Sequence, residues 1–311
     1  MTEFREAVER YLKIRRSLGF KMKAEERHLL RFAEFLEERG SIHITVRLAV
    51  EWATLPKACH PAHWKTRYCT VRRFARFVHA LDPQTEVLPS GVLTSRYRRK
   101  APHIYTEDEI IRLLKAAKQS RSPKGLWGWT FSTIFGLMTA TGMRVCEIVL
   151  LDREDVDLGQ GVIIVRETKF RKSRLVPVHP TVVKALRMHV RIRDRTCPQT
   201  QCRSFFVTEI GKQPAAKHMG KKFLVLARKI GLRGPNGVAG PRLHDLRHTF
   251  AVRTIINWYR SGANVDACLP QLSAYLGHLD AAQSYWYVSA IPELLDLAAQ
   301  RLDQPKGDPL K

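Results

Sequence analysis

The sequence predicts a mostly helical chain of two domains, the second holding a small antiparallel β-sheet. Apolar residues recur at helical spacing through most of its length. Two β-branched runs, GVIIVRE and RLVPV, are separated only by TKFRKS, which reads as a hairpin. A polar stretch with two prolines and a glycine, DPQTEVLPSG, breaks the helical pattern after Leu81 and is followed by the basic TSRYRRKAPH. At 311 residues the chain suits two domains, each able to bury a core. The expected division is a helical domain over 1–95, a basic linker over 96–105 and a second domain over 106–311.

The N-terminal domain reads as a bundle. Phe4, Val8, Tyr11, Leu12 and Leu18 recur on one face of a first helix, with Gly19 at its stop. Leu29, Leu30, Phe32, Phe35 and Leu36 mark a second, ending near Gly40, and a third follows Thr45 through Val46, Leu48 and Trp52. A fourth sets Trp64, Tyr68, Val71, Phe74, Val78 and Leu81 in an apolar stripe, with Lys65, Arg72 and Arg76 on another face. In the second domain, Thr106 and Glu109 form a capping box before an apolar helix. Trp127 to Ala140 reads as a buried helix, TGMRVCEIVLL as a turn entering another, and the remainder from Lys184 as mainly helical.

Lys and Arg number 53 against 29 Asp and Glu, a net charge of +24, well beyond what solubility requires. A polyanion is the natural partner. An anionic membrane surface would call for a basic amphipathic anchor or a long apolar run, and the sequence has neither, nor a signal peptide. A soluble intracellular protein is expected. Double-stranded DNA would meet Lys65, Arg72 and Arg76, together with Arg98, Arg99 and Lys100 of the linker, although a solvated helix face explains the first trio equally well. Six scattered cysteines suit reduced thiols. Neither Cys59, His60, His63 and Cys69 nor Cys197 and Cys202 has the paired spacings of a structural zinc site, so no metal is expected.

Cutting a phosphodiester without metal needs cations for the nonbridging oxygens, a nucleophile and a proton donor for the leaving oxygen. His244 and Arg247 in RLHDLRHTF are one helical turn apart, and Arg144 in TGMR precedes a helix whose free amides favour an anion. The order of TGMRVCEIVLL, a lysine-bearing hairpin, HDLRH and LGHLDAAQSYWY resembles the tyrosine recombinases, over roughly residues 106 to 300 by motif.

The resemblance implies a two-domain, C-shaped DNA clamp. It implies Arg144, His244 and Arg247 as the phosphate-binding positions, His278 as the third basic position and Tyr287 as nucleophile, with Tyr285 as the neighbouring competitor. Residues two apart on a helix point about 200° away from each other, so one tyrosine at most faces the phosphate. Lys169 matches the hairpin lysine, with Lys172 as alternative, and would donate a proton to the leaving oxygen. His248, Asp245 and Glu147 read as supporting residues, and Tyr259 and Trp258 as core.

The implied reaction joins protein to a 3′ phosphate, frees a 5′ hydroxyl and needs no cofactor. The implied partners are an inverted-repeat DNA site, a homotetramer on two such sites and accessory or sister recombinases, in the nucleoid of a bacterial cytoplasm. The residues do not distinguish phage integration, transposition, dimer resolution and cassette exchange, while the overall resemblance leans toward the transposase-like recombinases of bacterial mobile elements. A type IB topoisomerase-like activity and a non-catalytic DNA-binding regulator are the competing readings. The segment IPELLDLAAQRL, with Leu294, Leu295, Leu297, Ala298 and Leu302 in a stripe, reads as a helix that docks either on its own catalytic domain or on a neighbouring protomer, and the resemblance implies docking in trans.

Overall fold

The computed structural model describes residues 3–95, 100–166, 173–235, 240–277, 285–287 and 291–302. The chain forms two compact units, Met1–Lys100 and Ala101–Lys311. The first contains α1 (Glu3–Ser17), α2 (Lys23–Glu38), α3 (Val46–Thr54) and α4 (Pro61–His79). Thr45 caps α3 through its side chain, and Pro61 opens α4 at a position where a missing N–H costs nothing. Val8, Leu29, Phe32, Leu36, Val71 and Phe74 are fully enclosed between these helices. Leu18 and Leu81 depart from expectation. Each lies past the end of its helix, where the 3.6-residue repeat no longer fixes direction, and they are 65% and 53% exposed.

The stretch after α4 is less of a linker than its composition suggests. Leu88 enters the first unit's core at 1% exposure. The Glu86 N–H donates to the Ile44 carbonyl at 2.8 Å, and the Ile44 N–H donates to the Thr85 hydroxyl at 3.3 Å. The Tyr68 hydroxyl donates to the Pro89 carbonyl at 3.1 Å. At the other end, Tyr105 is 1% exposed in the second unit's core, where its hydroxyl donates to the Arg242 carbonyl at 3.0 Å.

The second unit opens with α5 (Glu107–Lys118), whose capping box pairs Thr106 and Glu109 reciprocally. The next helix, α6 (Leu126–Thr141), is apolar nearly all round, so it can be stable only when enclosed; α5, α8 (Pro180–Thr196) and α10 (Asp245–Arg260) pack against it. Between α6 and α8 come the short α7 (Val145–Val149) and a three-stranded antiparallel sheet in the order β1 (Val156–Asp157), β2 (Val162–Val165), β3 (Arg174–Pro177). Ile163 pairs with Val176, both buried, while Leu175 on the opposite face is 63% exposed. The two-residue β1 carries too little pattern to be read from sequence. α9 (Ala216–Lys229), α11 (Val265–Leu276) and a C-terminal helix, Pro292–Leu302, complete the unit.

His189 on α8 is fully enclosed against Phe205 and Phe206, and neither ring nitrogen has a hydrogen-bond partner. Burial first, then the Arg193 charge, pushes its pKa down from 6.5 to about 3. The imidazole is neutral when folded, whereas the unfolded chain binds a proton near pH 6.5. Its contribution is therefore complete above that pH and is lost as pH falls toward 3, by up to about 1.4 kcal/mol per unit. His189→Leu should flatten the fall in Tm between about pH 6 and pH 4, measured by calorimetry; an unchanged slope would show that the ring is not buried as a neutral group.

Candidate active site

Three separate elements of the second unit, α7, β3 and α10, bring basic side chains to one place. Arg144 is the N-cap of α7, reached through a reversal at Gly142, whose φ of +62° favours glycine. A Cβ on Gly142 would lie 2.6 Å from Phe250 and 2.8 Å from Leu276, so the glycine also lets α10 and α11 close on the end of α6. Arg247 stitches the same junction. Its guanidinium donates to the Gly142 carbonyl at 2.7 Å and to the Leu276 carbonyl at 2.8 Å, and the residue is 1% exposed. His244 stands one turn earlier, as the N-cap of α10, and Asp245 beside it is buried and holds the Arg242 guanidinium at 2.7 Å.

A carboxylate orders the cations. Glu147 accepts from the Arg144 backbone N–H at 3.0 Å and from its guanidinium at 2.8 Å, and from Arg174 of β3 at 2.7 and 3.2 Å. Burial alone would raise the Glu147 pKa, but the hydrogen bonds and charge of Arg174, then those of Arg144, hold it below the ordinary carboxylate value. Arg174 also donates to the Tyr275 carbonyl at 2.7 Å, and Arg144 to the Gly277 carbonyl at 3.1 Å. Gly277, with φ of +68°, has Arg174 Nη1 2.7 Å from where a Cβ would lie. The strand of the hairpin and the end of α11 are thus anchored to the same charge cluster.

Tyr287 lies in a short helical stretch, residues 285–287, and is 1% exposed. Its hydroxyl is 2.8 Å from His248 Nδ1. Tyr285, two residues away, is 44% exposed. Burial first, then Arg247 and Arg144, pushes the His244 pKa down to about 4, so this ring is neutral at pH 7. Arg247 falls to about 10, through burial and then Arg144, and stays charged.

Arg144, His244, Arg247 and Tyr287 are therefore neighbours. Lys169, His278, Arg98 and Arg99 lie outside the described residues. In the first unit, Lys65 and Arg76 are exposed on α4, and Lys100 is exposed near the junction. Arg72 is half-buried, with Nε donating to the Leu88 carbonyl at 3.1 Å, so part of this side chain serves the fold. Sequence reasoning gave Arg174 no role. Strand alternation puts it on the face of buried Val176, where a cation needs a partner, and that was its available signal.

All six cysteines are free thiols. Among the described residues no three of His, Cys, Asp and Glu gather as metal ligands, although Cys59 and His63 approach at 3.6 Å. No described helix is long and apolar enough to cross a membrane. The C-terminal helix packs on α10 of its own chain, with Leu294 buried, Leu295 49% exposed and Glu293 3.0 Å from Arg260. The expected trans docking is thus represented in the single chain by a cis contact.

Residues 104–293 match the phage integrase family. The chain is 41% identical, over 98% of both sequences, to y4rB of Sinorhizobium fredii, named an integrase/recombinase. It is 32% identical to the tyrosine recombinase XerD of Staphylococcus epidermidis over 71% of this chain and 70% of that one. The fold is similar to that of the Tn1549 transposon integrase in complex with transposon right end DNA, with a TM-score of 0.66, 18% identity, and coverage of 96% of this chain and 99% of the other. It also matches a lambda integrase tetramer bound to a Holliday junction, with a TM-score of 0.59, 17% identity and coverage of 90% and 79%. With the family match spanning most of the second unit and a relative this similar over the whole length, the chain belongs to the phage integrase family of tyrosine recombinases, which cleave and rejoin DNA.

Proposed function

We propose that Tyr287 is the nucleophile of a site-specific DNA recombinase and that Arg144, His244 and Arg247 bind the scissile phosphate. The observation that carries this reading is the packing of Tyr287 on α10, where its hydroxyl meets His248 at 2.8 Å, one residue from Arg247 and one turn from His244. As the tyrosine oxygen bonds to phosphorus, the bond to the 5′ oxygen breaks. The enzyme is left on the 3′ phosphate, and Lys169 supplies the proton that makes the leaving oxygen a hydroxyl. Arginine forks match the nonbridging oxygens, and their effect grows as charge develops on them. His278 completes the basic set. Attack by a 5′ hydroxyl from a second duplex reverses the chemistry and exchanges strands.

The DNA partner is an inverted-repeat site bound by four copies on two duplexes. Lys65, Arg76, Arg98, Arg99 and Lys100, with the free part of Arg72, contact its phosphates. Exchange of the C-terminal helix between copies would use the same apolar seat that Leu294 fills within one chain, which supports a role for Pro292–Leu302 in assembly.

On a nicked substrate that loses its 5′ hydroxyl fragment, the wild type should accumulate a covalent adduct on denaturing gels. Tyr287→Phe should abolish it and Tyr285→Phe should retain it; an adduct formed by Tyr287→Phe would move the nucleophile elsewhere. Arg144→Ala and Arg247→Ala should each slow cleavage by about a hundredfold or more. Normal single-turnover rates in either variant would remove that residue from the phosphate site.

A further inference from the structure

The reaction requires Tyr287 to lose its proton to a group that is in contact with its hydroxyl. His248 makes that contact, at 2.8 Å through Nδ1. The two imidazoles of HDLRH stand side by side on α10, their centroids 4.8 Å apart and their planes nearly perpendicular. They face different groups. His244 feels the charges of Arg247 and Arg144, which groups it with the phosphate-binding cations. His248 meets the Tyr287 ring at 5.4 Å and the Trp286 ring at 6.0 Å, and is 4% exposed. Its place on α10 is fixed by the helix itself, and the next residue, Thr249, accepts from the Tyr105 N–H at 3.0 Å.

Given Tyr287 as nucleophile, we propose that His248 is a catalytic residue that receives the tyrosine proton at Nδ1 during attack. The ring then carries its resting proton on Nε2, leaving the Nδ1 lone pair for the phenol. As the tyrosine oxygen bonds to phosphorus, its O–H bond breaks and the proton passes to Nδ1, making an imidazolium. The leaving 5′ oxygen takes its proton from a separate donor. In religation the imidazolium returns its proton to the departing tyrosine oxygen, so one complete cycle leaves His248 unchanged. The division of labour accounts for two histidines in one motif, one beside the phosphate cations and one on the nucleophile.

His248→Asn tests this, because the amide reaches the position of Nδ1 and can hold the phenol but cannot take its proton. DNA affinity and Tm should stay near wild type while single-turnover adduct formation slows by about a hundredfold. A substrate whose bridging 5′ oxygen is replaced by sulfur leaves without needing a proton, so it should not restore His248→Asn. A normal cleavage rate in this variant, or full rescue by the sulfur substrate, would overturn the proposal. An independent measurement uses protein with ¹⁵N-labelled histidine. Tyr287→Phe keeps the ring and removes the hydroxyl, so the His248 Nδ1 resonance should move, and an unmoved resonance would show that the bond does not form. This inference and the nucleophile assignment can fail separately. Adduct formation by Tyr287→Phe defeats the assignment, whereas loss of the adduct there with a normal rate in His248→Asn defeats the role of His248 alone.

Discussion

Three guanidinium groups in one cluster repel one another, and the site exists because Glu147 is buried among them. Removing a carboxylate from water is costly by itself, and leaving buried arginines unpaired costs more. Four hydrogen bonds from Arg144 and Arg174 offset both penalties. The carboxylate keeps its charge because those partners are there, and it leaves Arg247 tied to backbone carbonyls rather than to an anion. Among the described residues, Arg247 is thus the guanidinium of the three with no carboxylate in hydrogen-bond contact.

The same pairing links chemistry to fold. Arg174 belongs to the strand that returns from the hairpin, Gly277 ends α11, and Arg144 begins α7, so one charged cluster holds three chain segments that are far apart in sequence. Gly142 and Gly277 are the steric side of this arrangement. Each reverses the chain at a point where a side chain would collide with the cluster or with the helices around it.

Much of this was legible in advance for a physical reason. The helices of the first unit bury one face each, so periodicity exposed them, whereas helical angle said only that Tyr285 and Tyr287 point different ways, and the family resemblance chose between them. Arg144, His244 and Arg247 each carry a weak local signal, and it was the order of the basic motifs, with the family resemblance it brings, that marked them. Long-range partners were not legible. Glu147 could be read as a partner for an arginine, but nothing local indicated that Arg174 would share it, or that His248 would meet a hydroxyl 39 residues away. Leu18 and Leu81 failed because a periodic pattern does not announce its own last residue. Leu88 was hidden in a segment whose prolines and polarity suggested no core role.

That buried leucine moves the boundary of the first unit. Leu88 and Leu93 carry its core past the end of α4, while His103 already pairs with Glu109 of the second unit at 2.9 Å. A fragment cut at the end of α4 would therefore expose apolar surface that the whole unit keeps covered, and would self-associate rather than stay dispersed.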